Sequence, residues 1–321
     1  MKIAILDDYQ SAVSQLNSFK ILGGKEVKIL NETIANAHEL AKELEDIEIL
    51  VLIRERTKIT EELLSLLPNL KLISQTGKIS NHLDLATCTK YRVAVAEGIG
   101  SPTAPAELTW NLIMNVTRQI PQAISDFKAG KWQTNIGTTI SGQTIGIWGY
   151  GKIGKKIAQY AKVFDANVQI WGSESSRKKA IADGFKACES KEEFFQTSDV
   201  ISIHLRLNDS TKGIVKKEDL LMMKPTASIV NTARAELFAK NALIEALNFG
   251  RPGFAAIDVF ETEPLYNVNH HYLTHPKIIA TPHLGYVEQN SYELYFEKAF
   301  ENVINFIHHH PTNIANPEVL Q

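Results

Sequence analysis

The chain has 321 residues, 44% of them hydrophobic and 22% charged, with a formal net charge of -2. That balance suits an ordinary globular protein, most naturally of two domains, whose length buries a core without staples. The small charge gives no field that steers toward nucleic acid or an anionic membrane surface, and no apolar run approaches the ~20 residues of a membrane span. The opening Met1 to Asp8 lacks a secretory pattern. Cys88 and Cys188 stand far apart in no metal-ligand spacing, which fits a reducing compartment, expected to be the cytoplasm.

Along the chain, short apolar runs alternate with helical patterns. Runs at 3–6, 27–30, 49–53, 72–73 and 93–96 read as buried strands, with amphipathic stretches at 34–44 and 61–67 between them. Such alternation predicts a parallel sheet covered on both faces, one small doubly wound unit. A turn-rich segment, Glu97-Gly-Ile-Gly-Ser-Pro-Thr-Ala-Pro, leads into a helical pattern read as one long helix over 106–127. Pro105 suits its first turn, and Ser101 or Thr103 is placed to cap it. A second βα series begins at 144–148 and continues through strands at 168–171, 200–204, 228–231, 254–259 and 278–281. Residues 291–308 have helical periodicity, and His308-His309-His310 resembles a tag fragment but sits inside the chain before Pro311, which argues against metal binding there.

The segment Thr144-Ile-Gly-Ile-Trp-Gly-Tyr-Gly-Lys-Ile-Gly holds Gly149, Gly151 and Gly154 as G-x-G-x-x-G. The motif alone is weak, because glycines are ordinary turn residues. Here it follows an apolar strand and opens a helix, which is the context dinucleotide binding requires. Gly149 permits the tight turn, Gly151 the approach of a pyrophosphate, and Gly154 helix packing, while Tyr150, Lys152 and Ile153 complete the turn. At the end of the next strand a carboxylate normally holds the adenine ribose. Gly172 stands there instead. Glu174 can reach back, Ser173, Ser176 and Arg177 can hold a 2′-phosphate, or the segment is simply a solvated turn. The missing acid tilts the expectation from NAD toward NADP, with both accepted.

Three later segments place polar residues just past apolar strands: Asn231-Thr-Ala-Arg234, Asp258-Val-Phe-Glu-Thr-Glu263-Pro264 and Thr281-Pro-His283. In an open parallel sheet, ligands bind beyond the carboxyl ends of the strands. Taken singly, Arg234 reads as a surface cation, Glu263 as a solvated loop acid and His283 as a satisfied loop histidine. Together, behind a dinucleotide fingerprint, they describe one machine.

With these motifs in this order, the chain resembles the D-isomer-specific 2-hydroxyacid dehydrogenase family over nearly its whole length. Asp7-Asp8-Tyr9-Gln10 and Arg54-Glu55-Arg56-Thr57 look similar to a branch like phosphoglycerate dehydrogenase. The resemblance implies an α/β fold of two doubly wound parallel-sheet domains. A flavodoxin-like substrate domain takes residues 1–101 and 289–321, and a Rossmann dinucleotide-binding domain takes 102–288. It implies hydride transfer between NAD or NADP and a small D-2-hydroxy acid or its 2-keto acid, no metal, and a homodimer through the dinucleotide domain. Arg234 then grips the substrate carboxylate, His283 is the acid and base, and Glu263 orients its ring. Asp258 orients the nicotinamide amide, and His204 and Thr232 join the cofactor-binding set. Arg54, Gly77 and Lys78 fall on substrate-binding positions, in a loop whose backbone N–H groups cradle the carboxylate. Lys78 and Ile79 replace the family's usual small residue and glycine, and Arg206 replaces a proline common near the adenine. The alternatives are a non-enzymatic dinucleotide-sensing regulator, a formate dehydrogenase, which usually carries Gln at the Glu263 position, and a hydrolase, for which no nucleophile motif is present.

Overall fold

A computed structural model describes residues 1–321. The chain forms two compact units, Met1–Ser101 with Glu288–Gln321, and Pro102–Val287.

The first unit is built on strands β1 (Ile3–Ile5), β2 (Val27–Ile29), β3 (Ile49–Leu52), β4 (Leu72–Gln75) and β5 (Ala94–Ala96). Their order is β2-β1-β3-β4-β5, the flavodoxin-like order, and every pairing is parallel. Parallel neighbours need crossovers, and helices supply them after capped starts. Asn36 accepts from the amides of His38 and Glu39, Thr60 from Leu63 and Asp84 from Thr87. Both faces of the sheet are covered, so β1 and β3 are apolar at every position and fully buried. The C-terminal helix Gln289–Ile307 belongs to this unit. Its Phe296 and Phe300 are buried, Ser74 Oγ donates to the Ala299 carbonyl at 2.8 Å, and Glu293 accepts from the amides of Asn17 and Ser18 at 2.8 and 3.0 Å.

The second unit holds β6 (Thr144–Trp148), β7 (Asn167–Trp171), β8 (Lys186–Ala187), β9 (Val200–Ile203), β10 (Ser228–Asn231), β11 (Phe254–Ile257) and β12 (Ile278–Ala280). The order is β12-β11-β10-β9-β6-β7-β8, again parallel throughout. The chain changes direction across the sheet between β6 and β9. That switch point opens a crevice at the carboxyl ends of those strands.

Two expectations need correction. The stretch 106–127 is two helices, Thr103–Arg118 and Ile120–Lys128, separated by Gln119 in the left-handed region with φ 52°. Pro121 sits in the first turn of the second, where its missing N–H costs nothing. Neither Ser101 nor Thr103 caps the first. Pro102 takes the N-cap place and makes no side-chain cap bond. No helix is long and apolar enough to cross a membrane, and no cluster of His, Cys, Asp or Glu is arranged to hold a metal ion.

Candidate active site

Gly149 follows β6 with φ 102°, and its amide donates to the Trp171 carbonyl at 3.0 Å. A Cβ there would stand 2.6 Å from the His204 carbonyl oxygen, so the ends of β6, β7 and β9 meet at a residue that only glycine can fill. Gly154 is buried in the helix Lys152–Val163, where a Cβ would lie 2.1 Å from the Gly149 carbonyl. Gly151 differs: a Cβ would meet nothing within 4 Å. It is the N-cap of that helix, whose first amides, from Lys152, Ile153 and Gly154, have no preceding turn to bond. Open space before unpaired amides and a positive helix end is what a pyrophosphate needs, so the turn fits a dinucleotide. Lys152 is exposed and Ile153 half-buried. The Tyr150 side chain faces away, 4% exposed, with its hydroxyl donating to Asp183 at 3.0 Å. Only its backbone remains for the turn.

At the end of β7, Gly172 has φ 152° and no carboxylate. Ser173 caps the helix Glu174–Ala182, its Oγ accepting from the Ser176 amide at 3.3 Å. Glu174 does not reach back, because it pairs with Lys178 at 2.6 Å with its side chain 73% exposed. Arg177 does not stand ready for a 2′-phosphate either. Its guanidinium lies 5.0 Å above the Trp171 ring and donates to the Cys188 carbonyl at 3.4 Å. A cation over an indole face is held by the ring quadrupole, which draws this arginine inward. His204 Nε2 lies 2.8 Å from Ser202 Oγ, and burial pushes its imidazole down to about 3. The Thr109 hydroxyl gives its proton to the Pro105 carbonyl, so Thr232, 2.6 Å away, is the donor in the pair they form.

β10, β11 and β12 are neighbours, so the segments that follow them leave the same carboxyl edge. After β10, the amide group of Asn231 donates to the Arg234 carbonyl at 2.9 Å and accepts from Ala233 N at 3.0 Å. This fixes the loop carrying Arg234, whose own Nη1 donates to the Ala233 carbonyl at 2.6 Å. After β11 and β12, Glu263 Oε2 lies 2.6 Å from His283 Nδ1, while Glu263 Oε1 accepts from Phe260 N at 2.9 Å. A carboxylate oxygen accepts, so Nδ1 donates in this pair and Nε2 is the ring nitrogen it leaves over. Tyr286 packs edge-on against the imidazole at 5.2 Å.

His283 has φ 51°, a conformation disfavoured for L side chains. Asp258 holds it in place. Its carboxylate is fully buried and accepts from Thr281 Oγ1 at 2.6 Å, Leu284 N at 2.7 Å and Gly285 N at 2.9 Å. Burial pushes this carboxyl upward, opposed by those bonds and by the charge of His283. Both of its oxygens are thus committed to the 281–285 loop, a task the sequence does not announce.

In the first unit, the loop after β4 carries Gly77 with φ 107°. Arg54, itself at φ 55°, lies across it, with Nη1 1.9 Å from where a Gly77 Cβ would stand. Lys78 Nζ lies 2.6 Å from Glu97 Oε2, and Ile79 N donates to Glu97 Oε1 at 3.1 Å.

The D-isomer specific 2-hydroxyacid dehydrogenase, NAD binding domain, is the family description that matches residues 110–285. A glyoxylate reductase of Aeropyrum pernix is 31% identical over 271 residues, 81% of this chain and 80% of that protein. A D-3-phosphoglycerate dehydrogenase of Bacillus subtilis is 34% identical over 262 residues, 81% of this chain and 49% of that protein. The chain thus spans about half the length of the phosphoglycerate dehydrogenases it matches. The crystal structure of a phosphoglycerate oxidoreductase from Vibrio cholerae is 53% identical, with a TM-score of 0.94, covering 96% of this chain and 99% of that one.

Proposed function

The chain belongs to the D-isomer specific 2-hydroxyacid dehydrogenase family, and on that premise we propose that it interconverts a small D-2-hydroxy acid and its 2-keto acid. The observation that carries the reading is the 2.6 Å contact between Glu263 and His283 at the carboxyl edge of the unit that includes the NAD binding domain. Nicotinamide cofactor, when bound, supplies or accepts the hydride. The amides of the 151–154 turn hold its pyrophosphate.

The chain's own residues do the rest. Arg234, a fixed and forked charge, grips the substrate carboxylate and polarises the adjacent carbonyl. His283 Nε2 gives its proton to the carbonyl oxygen as that oxygen gains charge, and takes it back in the reverse direction. Glu263 keeps the proton on Nδ1 and the ring in line. We assign substrate holding in the first unit to Arg54, Gly77 and the 78–79 amides.

The same reading includes a homodimer through the second unit. Phe127, Trp132 and Ile136 are 64%, 74% and 96% exposed there, an apolar stretch that a second copy would cover. It also includes the cytoplasm, which the two free, buried thiols Cys88 and Cys188 suit.

The test is oxidation of NADH and NADPH with a panel of 2-keto acids, beginning with glyoxylate, pyruvate and hydroxypyruvate. Turnover of at least one, lost in His283→Ala, is expected. Cofactor binding without turnover of any 2-keto or 2-hydroxy acid would favour a sensing role instead.

A further inference from the structure

We infer that Glu97 is a resident occupant of the substrate-carboxylate cradle and sets the affinity for substrate by competing with it. The inference rests on the proposed role of the 77–79 loop and goes beyond it, because it concerns what already lies there.

The loop leaves the carboxyl end of β4 and has the makings of an anion site. Ile79 offers a backbone N–H, Lys78 an ammonium, and the Arg54 guanidinium lies against Gly77. The chain's own carboxylate has taken the first two. Glu97 Oε1 accepts from Ile79 N at 3.1 Å and Oε2 meets Lys78 Nζ at 2.6 Å.

The delivery of Glu97 is built into the backbone. Gly98 N donates to the Gly77 carbonyl at 2.8 Å, and a Cβ on Gly98 would lie 2.4 Å from Gly77 N and from the Gln75 carbonyl. Only glycine lets the two segments come this close. On either side of the same residue, Glu97 N donates to the Asn313 carbonyl and Asn302 Nδ2 donates to the Glu97 carbonyl at 3.1 Å. The backbone is pinned and the side chain is the part free to swing. Its head is 29% exposed and its ammonium partner 64% exposed, so water competes for the ion pair and an incoming anion can displace it.

An incoming 2-keto acid must therefore exchange one carboxylate for another. That lowers its affinity and screens against anions that bind the loop weakly.

The experiment is calorimetric titration of the NADH-loaded protein with oxamate, a non-reducible carboxylate shaped like a 2-keto acid. Glu97→Ala is expected to bind it about tenfold more tightly than the parent, equivalent to about 1.4 kcal/mol. Glu97→Gln, which keeps the shape and loses the charge, is expected to fall between the two, and it carries the test if the alanine variant fails to fold. Equal or weaker oxamate binding in a folded variant whose NADH affinity is unchanged overturns the inference and makes Glu97 a structural brace of the loop. The turnover panel stands apart from this titration. Tighter oxamate binding with no 2-keto acid reduced would sink the proposed activity and leave the competitor in place.

Discussion

The carbonyl oxygen of Gly149 lies 2.1 Å from the point where a Cβ on Gly154 would stand. Gly154→Ala must push the helix Lys152–Val163 off the sheet, and such overpacking costs roughly 1–3 kcal/mol. Gly151→Ala meets nothing within 4 Å and has φ -90°. Its stability is expected to stay level or rise by about 0.4–1 kcal/mol, while its methyl group intrudes where the pyrophosphate approaches. Urea unfolding and NADH titration on both variants separate the two glycines. Gly154→Ala is expected to lose stability and affinity together, and Gly151→Ala affinity alone.

Removing the His283 imidazole takes away the proposed proton donor and leaves the cofactor turn intact. Turnover of the best 2-keto acid is expected to fall about 10²–10⁴-fold in His283→Ala, with NADH affinity unchanged. Glu263→Gln keeps the ring in place, but a neutral amide leaves the positive charge that the ring carries as proton donor without its counter-charge. A loss of similar order is expected in kcat. Near-normal kcat in either variant would remove the pair from the reaction.

Arg177 lies on Trp171 and bonds the Cys188 carbonyl. Arg177→Ala is therefore expected to lower stability by about 0.5–1 kcal/mol and to leave the ratio of kcat/KM for NADPH and NADH unchanged. A shift of about tenfold toward NADH would mean that the side chain leaves the indole to hold a 2′-phosphate, as its place in the sequence suggests.

His204 gives the stability of the chain a pH dependence. Burial holds its imidazole at about 3 in the folded state, against an ordinary 6.5. As pH falls below about 6.5, the unfolded chain takes up a proton that the folded chain refuses, so stability drops from there toward pH 3. Above that window the group is neutral in both states and contributes no slope. Between about pH 7 and about pH 5, His204→Asn is expected to lose less stability than the parent by about 1–2 kcal/mol. Parallel losses in urea titrations at the two pH values would show that the ring is solvated.

The alternation of strand and helix was legible because strands buried on both faces cannot avoid being apolar. β8 was not, since Lys186-Ala187 is two residues long with a charged member. The break at Gln119 left one faint mark, Pro121, while the apolar spacing runs on through Ile113, Val116 and Ile120 as if the helix were whole. The candidate turn and the residues after β10, β11 and β12 could be named from the chain. What their neighbours do could not. Asp258 bonding the amides of Leu284 and Gly285, Arg177 folding over an indole, and Glu97 reaching the Ile79 amide and the Lys78 ammonium are contacts between segments that no local pattern connects.

The first unit is finished by residues made long after its sheet, those of Glu288–Gln321. Its Asn17 and Ser18 amides wait for Glu293, its Ser74 hydroxyl for Ala299, and its β5 edge for Asn316, whose side chain bonds Val95 N and the Val93 carbonyl at 2.8 and 2.9 Å. A ribosome adding about 5–20 residues per second needs roughly ten seconds or more to run from the end of β5 to that asparagine. Throughout that interval the part of the first unit that the helix Gln289–Ile307 covers stands exposed, while the whole of the second unit is being written. Early synthesis is therefore the time when this chain most depends on something else to shield it, and a stop codon placed just before the last helix would make that passing exposure permanent.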